Sequence, residues 1–255
     1  MRITMIGSGN VSTHLAAALK NAGHRIIQVF SPNIGHASLL AYHVGAEATD
    51  DISTINAETD LFIIAVKDDA IADIAEQLAV HQKLMVHTSG ATSLKVLSEV
   101  TPKAGVFYPL QTFSKEKELD FRSVPLCIEG TDEAITKHLI ELGQTISNNI
   151  YRVDSAQRKI LHLSAVFACN FPNYLYYVAQ NLLVKHELDF NLLRPLIMET
   201  AEKVQQQFPA VAQTGPAVRN DVQTMAAHEQ LLEGDVFLQN LYRLLSEGVM
   251  KMEKN

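Results

Sequence analysis

Ile3–Ile6 is a short apolar run that stops at Gly7, and Gly7-Ser8-Gly9-Asn10-Val11-Ser12 leads at once into a helical pattern over Val11–Ala22. This turn constrains the fold more than any other stretch. The first glycine permits a tight strand-to-helix turn. Gly9 removes a Cβ where an anion must approach the backbone, and Ser12 stands where a third glycine often supports helix–strand packing. A helix that opens on such a turn offers free N–H groups and the positive end of its dipole to an anion. Alone, the letters G-x-G-x-x-S describe only a tight turn. At residue 7, between a strand and a helix, they point to the pyrophosphate of a dinucleotide, held by Gly7, Gly9, Asn10 and Val11.

The chain then alternates. Arg25–Phe30, Leu61–Val66, Leu84–His87, Gly105–Tyr108 and Leu126–Ile128 read as strands, with helical patterns at Ser38–Val44, Ala70–Leu78 and Leu94–Val100. Near-continuous apolar strands separated by helices predict an α/β domain, a Rossmann-type, mostly parallel sheet covered on both faces. The later runs are closely spaced and fit edge strands of either direction. After Tyr151–Val153 the pattern turns helical: Ser155–Lys185, Asn191–Phe208, Val222–Leu232 and Val236–Lys251. The boundary is expected near Asp154, giving a dinucleotide-binding domain over 1–153 and an all-helical substrate and dimerisation domain over 154–255.

The second strand ends in Phe30-Ser31-Pro32-Asn33, with no carboxylate to accept from a ribose 2′-hydroxyl. Ser31 and Asn33 can instead donate to a 2′-phosphate. NADP is therefore the expected cofactor, with NAD as the other possibility. Ligands of open α/β sheets bind beyond the carboxyl ends of the strands, so Ala65, Val66, Lys67, Thr88 and Ser89 are placed to line the same crevice. The same residue types also serve as ordinary turn formers.

On the long helix, His162 and Asn173 are eleven positions apart, about 20° after three turns, with Val166 and Cys169 on the same stripe. Asn170 lies about 80° from His162. An imidazole titrates near neutrality and can protonate a carbonyl oxygen as hydride arrives, while an asparagine holds the carbonyl. The same residues also fit a core or interface helix with satisfied polar groups. Pro172 removes a backbone donor, so a kink is expected near Ala168–Phe171. Phe167, Phe171, Tyr174, Tyr176 and Tyr177 spread around the helix, as in a central helix at a subunit interface. Further on, Asp221 fits an N-cap, and Arg219 either grips a substrate carboxylate or pairs with a neighbour.

Composition removes other classes. The formal net charge of -7 and the lack of a basic run argue against nucleic-acid binding. Two cysteines 42 positions apart make neither a disulfide scaffold nor a thiolate zinc site, and fit a reducing cytoplasm. The histidines show no metal spacing, G-x-S-x-G is absent, and no apolar stretch is long enough to span a bilayer. The first residues lack the apolar core of a secretory signal.

Ile6–Val11, Ala65-Val66-Lys67 and Tyr108-Pro109-Leu110-Gln111-Thr112-Phe113 resemble the nucleotide domain of pyrroline-5-carboxylate reductases and deazaflavin-dependent NADP oxidoreductases. His162–Phe171 and Thr214-Gly215-Pro216-Ala217-Val218-Arg219-Asn220-Asp221 are similar to a bacterial family that joins a Rossmann-like domain to domain of unknown function 2520. The resemblance covers nearly the whole chain. It implies a helical domain of the 6-phosphogluconate dehydrogenase C-terminal type and, usually, a homodimer. Two departures matter: the helical signature differs from that of the pyrroline-5-carboxylate reductases, and His162 stands on the helix where β-hydroxyacid dehydrogenases place a catalytic lysine. The expected activity is an NAD(P)-dependent oxidoreductase acting on a small carbonyl or imine substrate, with His162, Asn170, Asn173 and Arg219 as catalytic candidates. The missing lysine motivates the other reading, a non-catalytic NADP-binding module that senses redox state or binds a partner.

Overall fold

The computed structural model describes residues 1–252 and shows two compact units, Met1–Asn173 and Tyr174–Asn255. In the first, eight strands form one sheet: β1 (Arg2–Ile6), β2 (Arg25–Phe30), β3 (Glu47–Thr49), β4 (Leu61–Ile64), β5 (Leu84–His87), β6 (Ala104–Pro109), β7 (Leu126–Gly130) and β8 (Ile150–Arg152). Their order is β3-β2-β1-β4-β5-β6-β7-β8, parallel throughout except where β7 runs antiparallel to β6. The order reverses between β1 and β4. That topological switch point is where an open α/β sheet forms its ligand crevice.

The strands are buried on both faces, as their unbroken apolar runs require. Alternate residues diverge to opposite sides. Ile3, Met5 and Val29 pack with Leu15 and Leu19 of α1 (Asn10–Asn21) and Leu40 and Val44 of α2 (Ile34–Val44). Ile6, Phe62 and Ile64 pack instead against Ile71 and Leu78 of α3 (Ile71–Leu78) and Leu97 of the short α4 (Lys95–Ser98). Leu139 and Leu142 of α5 (Glu133–Gln144) extend the first core beneath Phe107 and Leu126. Strand β3 and helix α5 go beyond the sequence reading. Helix α5 is nonetheless capped by Asp132, whose carboxylate accepts from the Ile135 amide at 2.8 Å.

The long helical pattern is not one helix. It divides into α6 (Ser155–Ala165), a π-helical turn over Val166–Asn170 and α7 (Phe171–Lys185). The Phe171 amide donates five residues back, to the Val166 carbonyl. Pro172 has no N–H for the Ala168 carbonyl, and the widened turn absorbs that missing donor. The expected boundary at Asp154 falls on the capping box that begins α6, while the two compact units divide one helix later, between Asn173 and Tyr174. The rest of the second unit comprises α8 (Arg194–Gln206), α9 (Pro209–Ala212), α10 (Val222–Leu231) and α11 (Val236–Met250). None of α8–α11 has a buried residue within the single chain. Among the described residues no helix is long and apolar enough to cross a membrane.

Candidate active site

The register Ile6↔Ile64 brings the ends of β1 and β4 side by side. Gly7 therefore passes against Ala65. Its φ is +112°, and a Cβ there would collide with the Ala65 carbonyl. Two residues on, Gly9 is exposed, and a Cβ on it would meet nothing within 4 Å. Gly9 is also the N-cap of α1, and no side chain caps that end. The helix thus opens, uncapped, onto free space, which is the arrangement an anion needs.

That opening is one wall of a cleft of about 410 Å³ in the first unit. Of the residues expected from sequence, Gly9, Asn10, Val11, Ala65, Val66, Thr88, Ser89 and His162 line it. Asp68, Gly90, Tyr108, Pro109 and Gln111 line it as well. Four strand ends and helix α6 therefore converge on one space. Asn10 holds one side of it in place: its side-chain amide donates to the Phe113 carbonyl at 2.8 Å, while His14 bonds the Ser114 carbonyl at 2.8 Å. The segment after β6 is thereby tied to the first turn of α1.

Other expected residues lie elsewhere. Ser31 is buried at the end of β2. Asn33 caps α2, its Oδ1 accepting from the His36 amide at 3.1 Å, which leaves its NH2 group to donate. Lys67 is exposed beside the cleft. Asn170 and Asn173 are exposed in and after the π turn. The extra residue in that turn rotates Asn173 by about 100° from the stripe that a continuous α-helix would share with His162. Arg219 is exposed in the second unit. Asp221 caps α10, accepting from the Thr224 amide and hydroxyl. These two hydrogen bonds, ahead of the Arg219 charge, hold its carboxyl below the usual range.

Tyr108, on β6, and His162, on α6, meet in the wall of the cleft. The phenol oxygen lies 3.0 Å from Nδ1 of the imidazole. Burial, with the Cys127 thiol and Asp68 adding to it, pushes the phenol up to about 12. Gly90 makes this approach possible, since a Cβ there would lie 2.6 Å from Nδ1 of His162 and 2.8 Å from Cζ of Tyr108.

One turn before His162, Arg158 is fully buried. Its guanidinium pairs with Glu129 of β7 at 2.5 Å and donates to the Thr92 carbonyl at 2.6 Å. Ser155 donates to the same Glu129 at 2.7 Å and accepts from the Leu94 amide at 2.9 Å. This network locks the start of α6 to β7 and to the loop that carries Thr88, Ser89 and Gly90. Beside it, His87 is wholly buried, and burial and then the Arg158 charge push it down to about 4. His87 is held neutral, with Nδ1 accepting from the Ser89 amide at 3.2 Å.

Sequence reasoning passed over Arg158, Glu129 and, as a site residue, Tyr108. Arg158 lies four residues before His162, on the same helix face, and Tyr108 ends a strand, so both carried a positional signal. A larger groove of about 660 Å³ lies between α10 and α11, but its Arg243 is already paired with Glu229 at 2.7 Å. No cluster of three metal-ligating side chains occurs among the described residues.

Comparison with known proteins gives two family matches: a Rossmann-like domain over residues 1–112, and domain of unknown function DUF2520 over residues 124–249. No curated protein matches the chain. Among solved structures, a candidate NADP oxidoreductase from Bacteroides fragilis is 42% identical, with a TM-score of 0.94 and 98% of each chain covered. A Thermotoga maritima protein is 23% identical, with a TM-score of 0.74 over 97% of this chain and 96% of its own. An imine reductase from Myxococcus stipitatus, solved with NADP+, shares the fold at 15% identity, with a TM-score of 0.65 over 98% of this chain and 92% of its own.

Proposed function

Because the chain belongs to the family that couples a Rossmann-like domain to domain of unknown function 2520, we propose that it is an NAD(P)-dependent oxidoreductase that reduces a small carbonyl or imine substrate in the cleft beside β1 and α1. The observation that carries this reading is the uncapped N-terminus of α1 opening, past Gly9, into the same cleft as Tyr108 and His162. The Bacteroides fragilis relative, at 42% identity over nearly all of both chains, supports a nicotinamide cofactor. The imine reductase is too distant to add more than the fold.

The residues present fit such a cofactor. The amides of the first turn of α1 would bind the pyrophosphate, and Ala65, Val66 and Thr88 would flank the dinucleotide. Ser31 and the free NH2 of Asn33, at a strand end without a carboxylate, favour NADP over NAD. When bound, the nicotinamide supplies the hydride. The chain orients the partners and stabilises the developing charge: His162, held against Tyr108, donates a hydrogen bond to the substrate oxygen or nitrogen, which draws its proton from solvent. Asn170 and Asn173, exposed on the helical run that continues from His162, are the residues proposed to grip the substrate. The unpaired apolar surface of α8–α11 supports a homodimer formed through the helical domain.

Calorimetric titration of the purified protein with NADPH, and separately with NADH, tests the reading. NADPH is expected to bind the more tightly, and Gly9→Asp, which sets a carboxylate at the anion's place, is expected to abolish binding. Failure of both nucleotides to bind at millimolar concentration would end the oxidoreductase proposal. If NADPH binds but is never oxidised across a panel of carbonyls and imines, the non-catalytic module gains the advantage.

A further inference from the structure

Resting on the reading that reduction takes place in this cleft, we propose that Tyr108 is a positioning residue for His162: its hydroxyl donates to Nδ1 of the imidazole, so the ring proton sits on Nε2 and His162 offers the cleft one fixed N–H. The distance of 3.0 Å is that of a formed hydrogen bond, and the rings meet edge to face, with centroids 6.1 Å apart and planes at 72°.

The direction of the bond follows from the phenol. Tyr108 sits on a buried strand, and its high pKa keeps it an O–H donor at neutral pH. A buried hydroxyl left without an acceptor is costly, and Nδ1 of His162 is the partner the structure provides among the described residues. A neutral imidazole has one donor and one acceptor nitrogen. Once Nδ1 accepts from Tyr108, the proton belongs to Nε2.

The surroundings make this arrangement rigid. Gly90 leaves just enough room for the two rings to meet. Arg158, on the same face of α6 one turn earlier, anchors that helix to Glu129 and to the Thr92 carbonyl. Neither ring depends on a flexible loop for its position. A donor already in the correct tautomer needs no reorganisation when charge develops on the substrate atom, which is where preorganised donors contribute to rate. Tyr108 therefore acts through His162 and need not touch substrate.

The test is 15N NMR of protein labelled in histidine, at about pH 8, where an ordinary imidazole is neutral, with the His162 signals assigned from a His162→Gln variant. Wild-type His162 is expected to show a bare Nδ1 and a protonated Nε2. In Tyr108→Phe the same ring is expected to become a mixture of tautomers. A wild-type ring protonated on Nδ1, or an unchanged single tautomer in Tyr108→Phe, would overturn the proposal. If the variant does not fold, a wild-type ring protonated on Nδ1 still overturns the proposal. An NADPH titration of both proteins separates this test from the cofactor reading. Equal affinities together with a changed tautomer support a positioning role. A wild type that binds neither NADPH nor NADH refutes the reduction cleft, and the positioning role in reduction with it.

Discussion

At the scale of single residues, three buried groups have consequences that can be measured. Arg158 is fully buried and neutralises Glu129, itself largely buried. Arg158→Met strands that carboxylate, and breaking a buried pair costs about 3–5 kcal/mol. The loss should appear as a lower midpoint in urea denaturation, and the double variant Arg158→Met/Glu129→Leu should recover much of it. Gly90→Ala pushes a methyl group into both rings of the Tyr108–His162 pair. Overpacking of this kind costs about 1–3 kcal/mol, so a variant as stable as the wild type would show that the two rings can separate freely. His87 has a pH signature. Its folded pKa of about 4 lies below the ordinary imidazole value of 6.5. Between these values the unfolded chain binds the extra proton, so stability is complete above about pH 6.5 and falls as the pH drops towards 4. The loss amounts to about 3 kcal/mol. His87→Asn should flatten this limb in denaturation midpoints measured across that window.

At the scale of elements, the π turn shows how one residue resets a helix. Pro172 was legible as a break, and the π turn over Val166–Asn170 falls where its missing amide predicts. The phase of everything after it was not legible, because a wheel drawn at 100° per residue assumes an uninterrupted α-helix. Pro172→Ala restores the donor and is expected to return the turn to α geometry, with the Phe171 amide bonded to the Phe167 carbonyl. Amide exchange and a structure of the variant would report this, whereas a persisting π turn would show that packing sets it. Helix α5 teaches the reverse lesson. Its signal was present in Ile135, Leu139 and Leu142 at helical spacing behind the Asp132 cap. The stretch between the strand runs Leu126–Ile128 and Tyr151–Val153 is long enough to hold it. Strand β3 is three residues long and has too little pattern to read.

At the scale of the whole molecule, the two units differ in how they are stabilised. The first has cores on both faces of its sheet. In the second, helices α8–α11 bury none of their residues, and Leu196, Phe208, Leu231, Phe237 and Leu244 are exposed. Apolar surface on this scale marks an interface. Sedimentation is expected to show a dimer at micromolar concentration. Leu244→Glu, which places a charge on that surface, should weaken association and lower the unfolding temperature together, since the stability of an obligate dimer is inseparable from its assembly. A wild type that sediments as a stable monomer would refute the proposed interface.

The sequence by itself determined the alternating strands and helices, the glycine turn at residue 7 and the change to an all-helical half, because these follow from local periodicity and from what a turn permits its own backbone. It also placed most of the residues that line the cleft, since strand ends in a parallel sheet can be read in one dimension. Only the tertiary structure decided that Tyr108 and His162 meet, that Gly90 makes room for them and that Arg158 fixes the helix beneath. Those contacts join residues 18 to 72 positions apart, and no local pattern encodes which side chains the reversal between β1 and β4 will bring to one crevice.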